Sequence, residues 1–164
     1  MKRNSFFLIL VSAATILVGC NRDSTEVVAV QTLINLSAEI ARAKTENKLL
    51  LLEFGSSDSC PPCILFQKEV FSKPEFLAYE KSNLVFVRLD FPFRTTLPAD
   101  VNATNVLLAQ QFAASGFPTF IALDPEGNEF WRMPAKGDPN PSIETSLFQP
   151  KVFIALLESL KKKP

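Results

Sequence analysis

Two cysteines separated by two prolines, Cys60-Pro61-Pro62-Cys63, lie between an apolar run and a helical pattern. The run Leu49 to Phe54 is nearly all apolar, which is typical of a strand that is covered on both faces. The segment Pro61 to Val70 has the spacing of a helix. A fold that accommodates this stretch must pass from a buried strand into the start of a helix, with Cys60 at the first turn.

Cysteines at a helix start are suited to thiol chemistry. A thiolate attacks disulfides, and the free backbone N–H groups and the dipole at a helix start stabilise the anion. The sequence therefore predicts Cys60 as the attacking sulfur and Cys63 as the thiol that resolves the mixed disulfide. Pro61 and Pro62 fix φ and withhold N–H donors, which stiffens the loop.

The same cysteine spacing also occurs in structural disulfides and in zinc sites. A zinc site takes four ligands, whereas the chain has no histidine and only one further cysteine, Cys20. We therefore expect no metal site within one chain. A static Cys60–Cys63 disulfide and a metal shared between chains remain alternatives to a redox-active pair.

Residues 1–19 have the architecture of a lipoprotein signal peptide. Lys2 and Arg3 precede an apolar and small-residue segment, residues 6–19, that is too short for a comfortable membrane span. The segment ends in Leu17-Val18-Gly19-Cys20, which resembles the bacterial lipobox. We therefore expect lipidation of Cys20, which would then begin the mature chain, and an ordinary secretory signal is the alternative.

Signal processing would leave a lipidated tether, residues 20–30, and one domain, residues 31–164. The expected location is the bacterial cell envelope, facing the periplasm, and Asn21 in place of aspartate favours the outer membrane. Without Lys2 and Arg3 the chain has 15 basic and 17 acidic residues, a net charge of −2. Because no basic patch with interleaved aromatics is visible, nucleic acid is not an expected partner.

Hydrophobic periodicity predicts alternating helices and strands along the rest of the chain. Helices are expected over Thr32 to Thr45, Pro61 to Val70, Lys73 to Lys81, Asn102 to Ala114 and Pro150 to Lys162. Strands are expected over Leu49 to Phe54, Leu84 to Asp90, Thr119 to Leu123 and Glu129 to Met133. The order implies an α/β fold whose central sheet has parallel strands joined by right-handed crossovers and an antiparallel hairpin at one side.

Two finer expectations concern individual helices. Ser72 is expected to be the N-cap of the helix that begins near Lys73. In the helix Asn102 to Ala114, the side chains of Val106, Leu107 and Phe112 are expected to point inward.

Several motifs together resemble the thioredoxin-fold family. They are Lys48 to Phe54, Cys60 to Cys63, Gly116-Phe117-Pro118-Thr119 before a strand, and the hairpin turn Asp124 to Asn128. The stretch Lys44 to Met133 is more similar to secreted or lipid-anchored thioredoxin-like thiol:disulfide oxidoreductases than to cytosolic thioredoxin. The resemblance implies a thioredoxin fold, a central mixed sheet flanked by helices in a single domain. It also implies no bound cofactor, client proteins with disulfides or thiols, and a membrane or periplasmic redox partner.

The resemblance also implies roles for residues outside the cysteine pair. In that family the proline that matches Pro118 is cis and faces the cysteines, so Phe117, Pro118, Pro61 and Pro62 are expected to bind the substrate. An ordinary trans turn at Pro118 is the alternative. Glu53 matches the family's buried acid, which relays a proton to and from the resolving thiol. A salt-bridged or edge-exposed Glu53 is the alternative.

One position departs from the family's pattern. Thioredoxins usually carry tryptophan just before the first cysteine, whereas this chain has Ser59, preceded by Asp58. Loss of the indole removes an apolar shield, and the Asp58 carboxylate would disfavour a nearby thiolate. These residues keep open a second interpretation, a non-catalytic peptide-binding lipoprotein with a static Cys60–Cys63 disulfide.

Overall fold

A computed structural model describes residues 34–133 and 145–162 of the chain. Its helices are α1 (Leu36–Glu46), α2 (Pro61–Phe66), α3 (Pro74–Asn83), α4 (Ala99–Gln111) and α5 (Pro150–Leu160). Its strands are β1 (Leu49–Gly55), β2 (Leu84–Asp90), β3 (Thr119–Leu123) and β4 (Glu129–Met133). A π-helical turn, Gln67–Phe71, continues α2, and a 3-10 turn, Thr145–Phe148, precedes α5. The predicted signal peptide, tether and lipidation site at Cys20 lie outside the described residues.

None of the helices within residues 34–133 and 145–162 has the length and apolar character needed to span a membrane.

The four strands of the described residues form one mixed sheet in the order β2-β1-β3-β4. Strand β1 pairs with β2 in parallel and with β3 antiparallel, and β3 pairs with β4 antiparallel. Because β1 is central, all seven of its residues are buried, as its apolar sequence predicts. The predicted α/β sheet with an antiparallel hairpin at one side is confirmed.

The two faces of the sheet carry separate hydrophobic clusters. Leu49 and Leu51 of β1 pack with the phenylalanines of α2, α3 and α5, whereas Leu50, Leu52 and Phe54 pack with residues of α1 and α4. Successive side chains of a strand point to opposite faces. Glu53 therefore shares the face of Leu51, the face that α2 covers. The register of the strand thus directs this carboxylate toward the helix that carries the cysteines.

The structure corrects the predicted inward face of α4. Val106 and Leu107 are 38% and 64% exposed, so their predicted burial is wrong, whereas that of Phe112 is confirmed. The buried positions on this helix and at its C-cap are Val101, Asn105, Leu108 and Phe112. The buried Asn105 amide donates a hydrogen bond to the Asp90 carbonyl oxygen at 2.9 Å. Because the polar Asn105 is one of these buried residues, the apolar pattern of the sequence alone does not indicate which side of the helix faces the core.

The predicted N-cap of α3 is also wrong. The N-cap is Lys73, which is extended and makes no side-chain capping bond, and Pro74 occupies the first helical position. The residue before a proline is restricted to extended conformations, and proline itself is suited to the first helical position. The Ser72 hydroxyl instead donates to the carbonyl oxygen of Lys68 at 2.9 Å.

Candidate active site

Cys60 and Cys63 form a disulfide with an S–S distance of 2.07 Å. Cys60 is the N-cap of α2, and its sulfur accepts the backbone N–H of Cys63 at 3.2 Å. Because Pro61 and Pro62 have no N–H, Cys63 supplies the first helical amide available to that sulfur. The exposed fractions of Cys60 and Cys63, 7% and 4%, are nearly equal. The hydrogen bond, rather than accessibility, therefore distinguishes the two sulfurs.

Glu53 lies beneath the cysteine pair as a buried carboxylate, with a side chain that is 3% exposed. The parallel register places it opposite Arg88 on β2, and Arg88 Nε donates to Glu53 Oε2 at 2.6 Å. Burial raises the pKa of Glu53 above its usual value, while the charge of Arg88 and its hydrogen bond oppose that rise. The edge-exposed alternative for Glu53 is therefore wrong, and the carboxylate is both buried and salt-bridged.

Gly55 leaves space between Glu53 and Cys63. A Cβ atom at Gly55 would lie 3.3 Å from Glu53 Oε1 and 3.4 Å from Cys63 Sγ. These two atoms therefore border the same small volume on the α2 side of β1. Since Oε2 binds Arg88, Oε1 is the carboxylate oxygen on the Gly55 side, toward Cys63. Proton exchange between Glu53 and Cys63 stays a prediction.

Arg88 is a site residue that the sequence analysis missed. One guanidinium nitrogen, Nη1, donates to Gln67 Oε1 at 2.6 Å, and the guanidinium carbon lies 5.1 Å from the centroid of the Phe71 ring. Gln67 and Phe71 are the first and last residues of the π-helical turn, a type of distortion that often occurs at functional sites. The pair could have been identified from the sequence, because β1 has one acidic residue, Glu53, and β2 has one basic residue, Arg88, in otherwise mainly apolar strands.

The loop that leads into Cys60 is held to the segment after β2 by Asp58. Its carboxylate accepts the backbone N–H groups of Phe93, Arg94 and Thr95 at 2.8, 2.8 and 3.2 Å. These hydrogen bonds, that of Phe93 foremost, hold the pKa of the Asp58 carboxyl below its usual value. The three N–H dipoles thus offset the negative charge of Asp58, which was expected to disfavour the Cys60 thiolate.

A second carboxylate anchors the same loop. Asp90 accepts the backbone N–H and the hydroxyl of Ser57, both at 2.7 Å. The hydroxyls of Ser56 and Ser59 lie 2.6 Å apart, so Ser59, directly before Cys60, is engaged within the loop. In the described ranges no three His, Cys, Asp or Glu side chains are grouped as a metal site would require.

The predicted substrate loop lies next to this network. The Phe117–Pro118 peptide bond is cis, Pro118 is buried and Phe117 is half-buried. The Phe117 ring stacks on Phe91 with a centroid distance of 5.3 Å. Pro61 is exposed and Pro62 is half-buried at the start of α2. Substrate contact by these prolines and by Phe117 remains a prediction.

Comparison with known proteins identifies the family. The thioredoxin-like domain model matches residues 36–143, more than half of the chain. The chain belongs to the thioredoxin-like domain family. A solved structure of DsbH oxidoreductase superimposes with a TM-score of 0.63 at 24% identity, covering 81% of this chain and 85% of that one. A thioredoxin from Thermus thermophilus gives 0.51 at 21% identity, covering 77% and 84%. The predicted single-domain thioredoxin fold is confirmed.

Curated members of the family are similar over part of their length. Disulfide bond reductase DsbH of Chlamydia pneumoniae is 31% identical over 94 residues, 57% of each chain. Thioredoxin-related protein DsbJ of the same organism is 26% identical over 131 residues, 80% of this chain and 37% of that one. Thiol:disulfide interchange protein DsbD 2 of Pseudomonas aeruginosa is 36% identical over 94 residues, 57% of this chain and 14% of that one. The matched regions thus cover 57% or less of these relatives. Their names, with the Cys60–Cys63 disulfide, support a redox function for this family member.

Proposed function

We propose that the chain is an extracytoplasmic thiol:disulfide oxidoreductase that acts on protein disulfides through Cys60 and Cys63. The observation that carries the proposal is the geometry of this pair. The Cys60 sulfur accepts an N–H at the start of α2, and a buried carboxylate borders the same space beside Gly55 as the Cys63 sulfur. The names of two similar proteins, a disulfide bond reductase and a thiol:disulfide interchange protein, support the same chemistry.

In the reducing direction, the Cys60 thiolate attacks a client disulfide and releases the first client thiolate. The Cys63 thiol passes its proton to Glu53, and the resulting thiolate attacks the Cys60 sulfur of the mixed disulfide. The Cys60–Cys63 bond forms, the second client thiolate leaves, and the two released thiolates take up protons. The client gains two electrons and two protons, and the protein is left as the disulfide present in the structure.

The surroundings of the cysteine pair suit an extended client. Pro61 and Pro62 lie between the two cysteines, and we assign them and the Phe117–Pro118 loop to contact with the client peptide. Since the described residues contain a single cysteine pair, each turnover requires electrons from outside. A membrane or periplasmic redox partner is the proposed donor.

Reduction of insulin tests the proposed function against a static disulfide. With dithiothreitol as the electron donor, the chain lacking residues 1–20 should precipitate insulin faster than dithiothreitol alone, because the enzyme thiolate reacts with the interchain disulfides. Turbidity against time is the measurement. Protein whose two cysteines have been alkylated is the control. A rate equal to that control would instead support a peptide-binding protein with an inert Cys60–Cys63 bond.

We further propose that Cys20 carries the lipid that holds this domain at a membrane of the bacterial cell envelope. Each buried methylene of an acyl chain contributes about 0.8 kcal/mol, so two or three chains bind durably. The native protein should partition into detergent, and Cys20→Ala should abolish that partitioning without changing insulin reduction. Mass spectrometry that finds an unmodified N-terminus beyond Cys20 in the native host would reject the anchor and leave the redox proposal intact.

A further inference from the structure

Phe93 is an unusual surface residue of the segment that follows β2. Its side chain is 86% exposed, against 64% for Leu107, the next most exposed large apolar residue of the described chain. Contact between a phenyl ring and water is unfavourable, and exposed apolar surface that is contiguous often marks a binding site.

The backbone that carries this ring is fixed beside the cysteines. The N–H of Phe93 and those of the two following residues donate to the Asp58 carboxylate. Asp58 precedes Cys60 by two residues, a span of at most about 7 Å along the backbone. The backbone of Phe93 is therefore joined by one hydrogen bond to the segment that leads into Cys60. Ser59, which lies between Asp58 and Cys60, offers no apolar surface of its own and is within hydrogen-bond distance of Ser56.

The same segment also carries an aromatic ring that contacts the predicted substrate loop. Phe91, two residues before Phe93, stacks on Phe117, which precedes the cis Pro118. A cleft of about 350 Å³ extends this apolar surface along α4. The apolar side chains that line the cleft are Phe91, Val106, Ala109, Ala113 and Ala114.

We propose that Phe93 is a specificity-determining residue that contacts a bulky apolar side chain of the client, and that Asp58 positions it. The inference rests on the proposed function, because the client is the polypeptide whose disulfide reaches Cys60. An extended peptide advances about 3.3 Å per residue. At most two residues of backbone, the Asp58 side chain and one hydrogen bond separate Phe93 from Cys60, so the client side chain that reaches Phe93 lies within about four residues of the client cysteine. The substrate class is a disulfide flanked within that distance by an aromatic or branched aliphatic residue.

Matched disulfide-linked peptides test this inference on the full chain in detergent. One peptide has phenylalanine three residues from its cysteine, and the other has serine. The wild-type protein should favour the phenylalanine peptide by roughly tenfold in kcat/KM, the effect expected from one apolar contact. Phe93→Ser should abolish the preference between the two peptides. Phe93→Leu should retain most of the preference.

Leu77→Ser is the matched control, because Leu77 is 49% exposed on α3, whose buried Phe76 packs on the face of the sheet opposite the cluster that includes Phe91. This variant should behave as wild type toward both peptides. A preference that survives in Phe93→Ser, or that is absent in wild type, would overturn the inference. So would a loss of binding to anionic lipid vesicles in Phe93→Ser with no change in peptide preference, since the ring would then contact lipid.

Equilibrium binding of cysteine-free versions of the two peptides separates this inference from the proposed function. Tighter binding of the phenylalanine peptide by wild type but not by Phe93→Ser would support the apolar subsite even if no disulfide were reduced. Reduction of both disulfide peptides at equal rates would support the oxidoreductase and reject the subsite.

Discussion

Cys63→Ser should accumulate mixed disulfides between Cys60 and client proteins, whereas Cys60→Ser should accumulate none and lose reductase activity to the background rate. The Cys63 N–H that reaches the Cys60 sulfur at 3.2 Å favours the thiolate at that position. Without the Cys63 thiol, the mixed disulfide has no partner within the chain to resolve it. Non-reducing gels and mass spectrometry of protein incubated with insulin measure the trapped species.

Alkylation of the reduced wild-type protein provides an independent control. Cys60 should react with iodoacetamide first at moderate pH, because its thiolate is the better stabilised of the two. Preferential labelling of Cys63, or trapping by Cys60→Ser and not by Cys63→Ser, would reverse the assigned roles. The oxidoreductase proposal would survive that reversal, because both cysteines would still exchange.

The elements that sequence predicted well are those whose signal is local. The run Leu49 to Phe54 became the central strand because apolar residues on both faces require cover on both faces. The hairpin turn was recognisable because Asp124 accepts the N–H groups of Glu126 and Asn128, and Gly127 adopts a φ of +87°. Both signals depend on neighbouring residues alone.

The parts of the site that sequence missed depend on contacts between distant segments. Arg88 pairs with Glu53 only because the parallel register sets them side by side, and the register cannot be read from either strand alone. The hydrogen bonds of Asp58 reach a segment 35 to 37 residues away. Asn105 occupies an apolar stripe because the carbonyl of Asp90 accepts its amide. In each case tertiary structure gives a polar residue its partner.

Glu53→Gln should slow resolution of the mixed disulfide by about 10²-fold, within the range of a lost general base. In wild type, the resolution rate should rise with pH as Glu53 ionises, since only the carboxylate accepts the Cys63 proton. The glutamine variant should retain only the rise that accompanies ionisation of the thiol itself. Arg88→Met should shift the wild-type inflection to higher pH, because Arg88 opposes the rise in the Glu53 pKa. Stopped-flow measurement of resolution across pH tests all three proteins.

The raised pKa of Glu53 also predicts how the free energy of unfolding depends on pH. Burial raises the pKa of folded Glu53 above its unfolded value, so the folded state binds the proton more tightly. The resulting stabilisation is complete below the unfolded pKa, about 4.3, and is lost as pH rises through the folded value. Urea unfolding should show this decline in wild type and not in Glu53→Gln.

Arg88→Met should enlarge the decline and extend it to higher pH, because it leaves a buried carboxylate without its cation. Since the Arg88 side chain is 43% exposed, the added loss at pH 8 should be about 1 kcal/mol, less than for a fully buried pair. The control is Arg42→Met, which breaks an exposed ion pair with Glu39 and should leave the pH dependence unchanged. Parallel stability curves for wild type and Glu53→Gln, with unchanged pH–rate profiles, would make Glu53 a structural residue and remove it from the proton transfer.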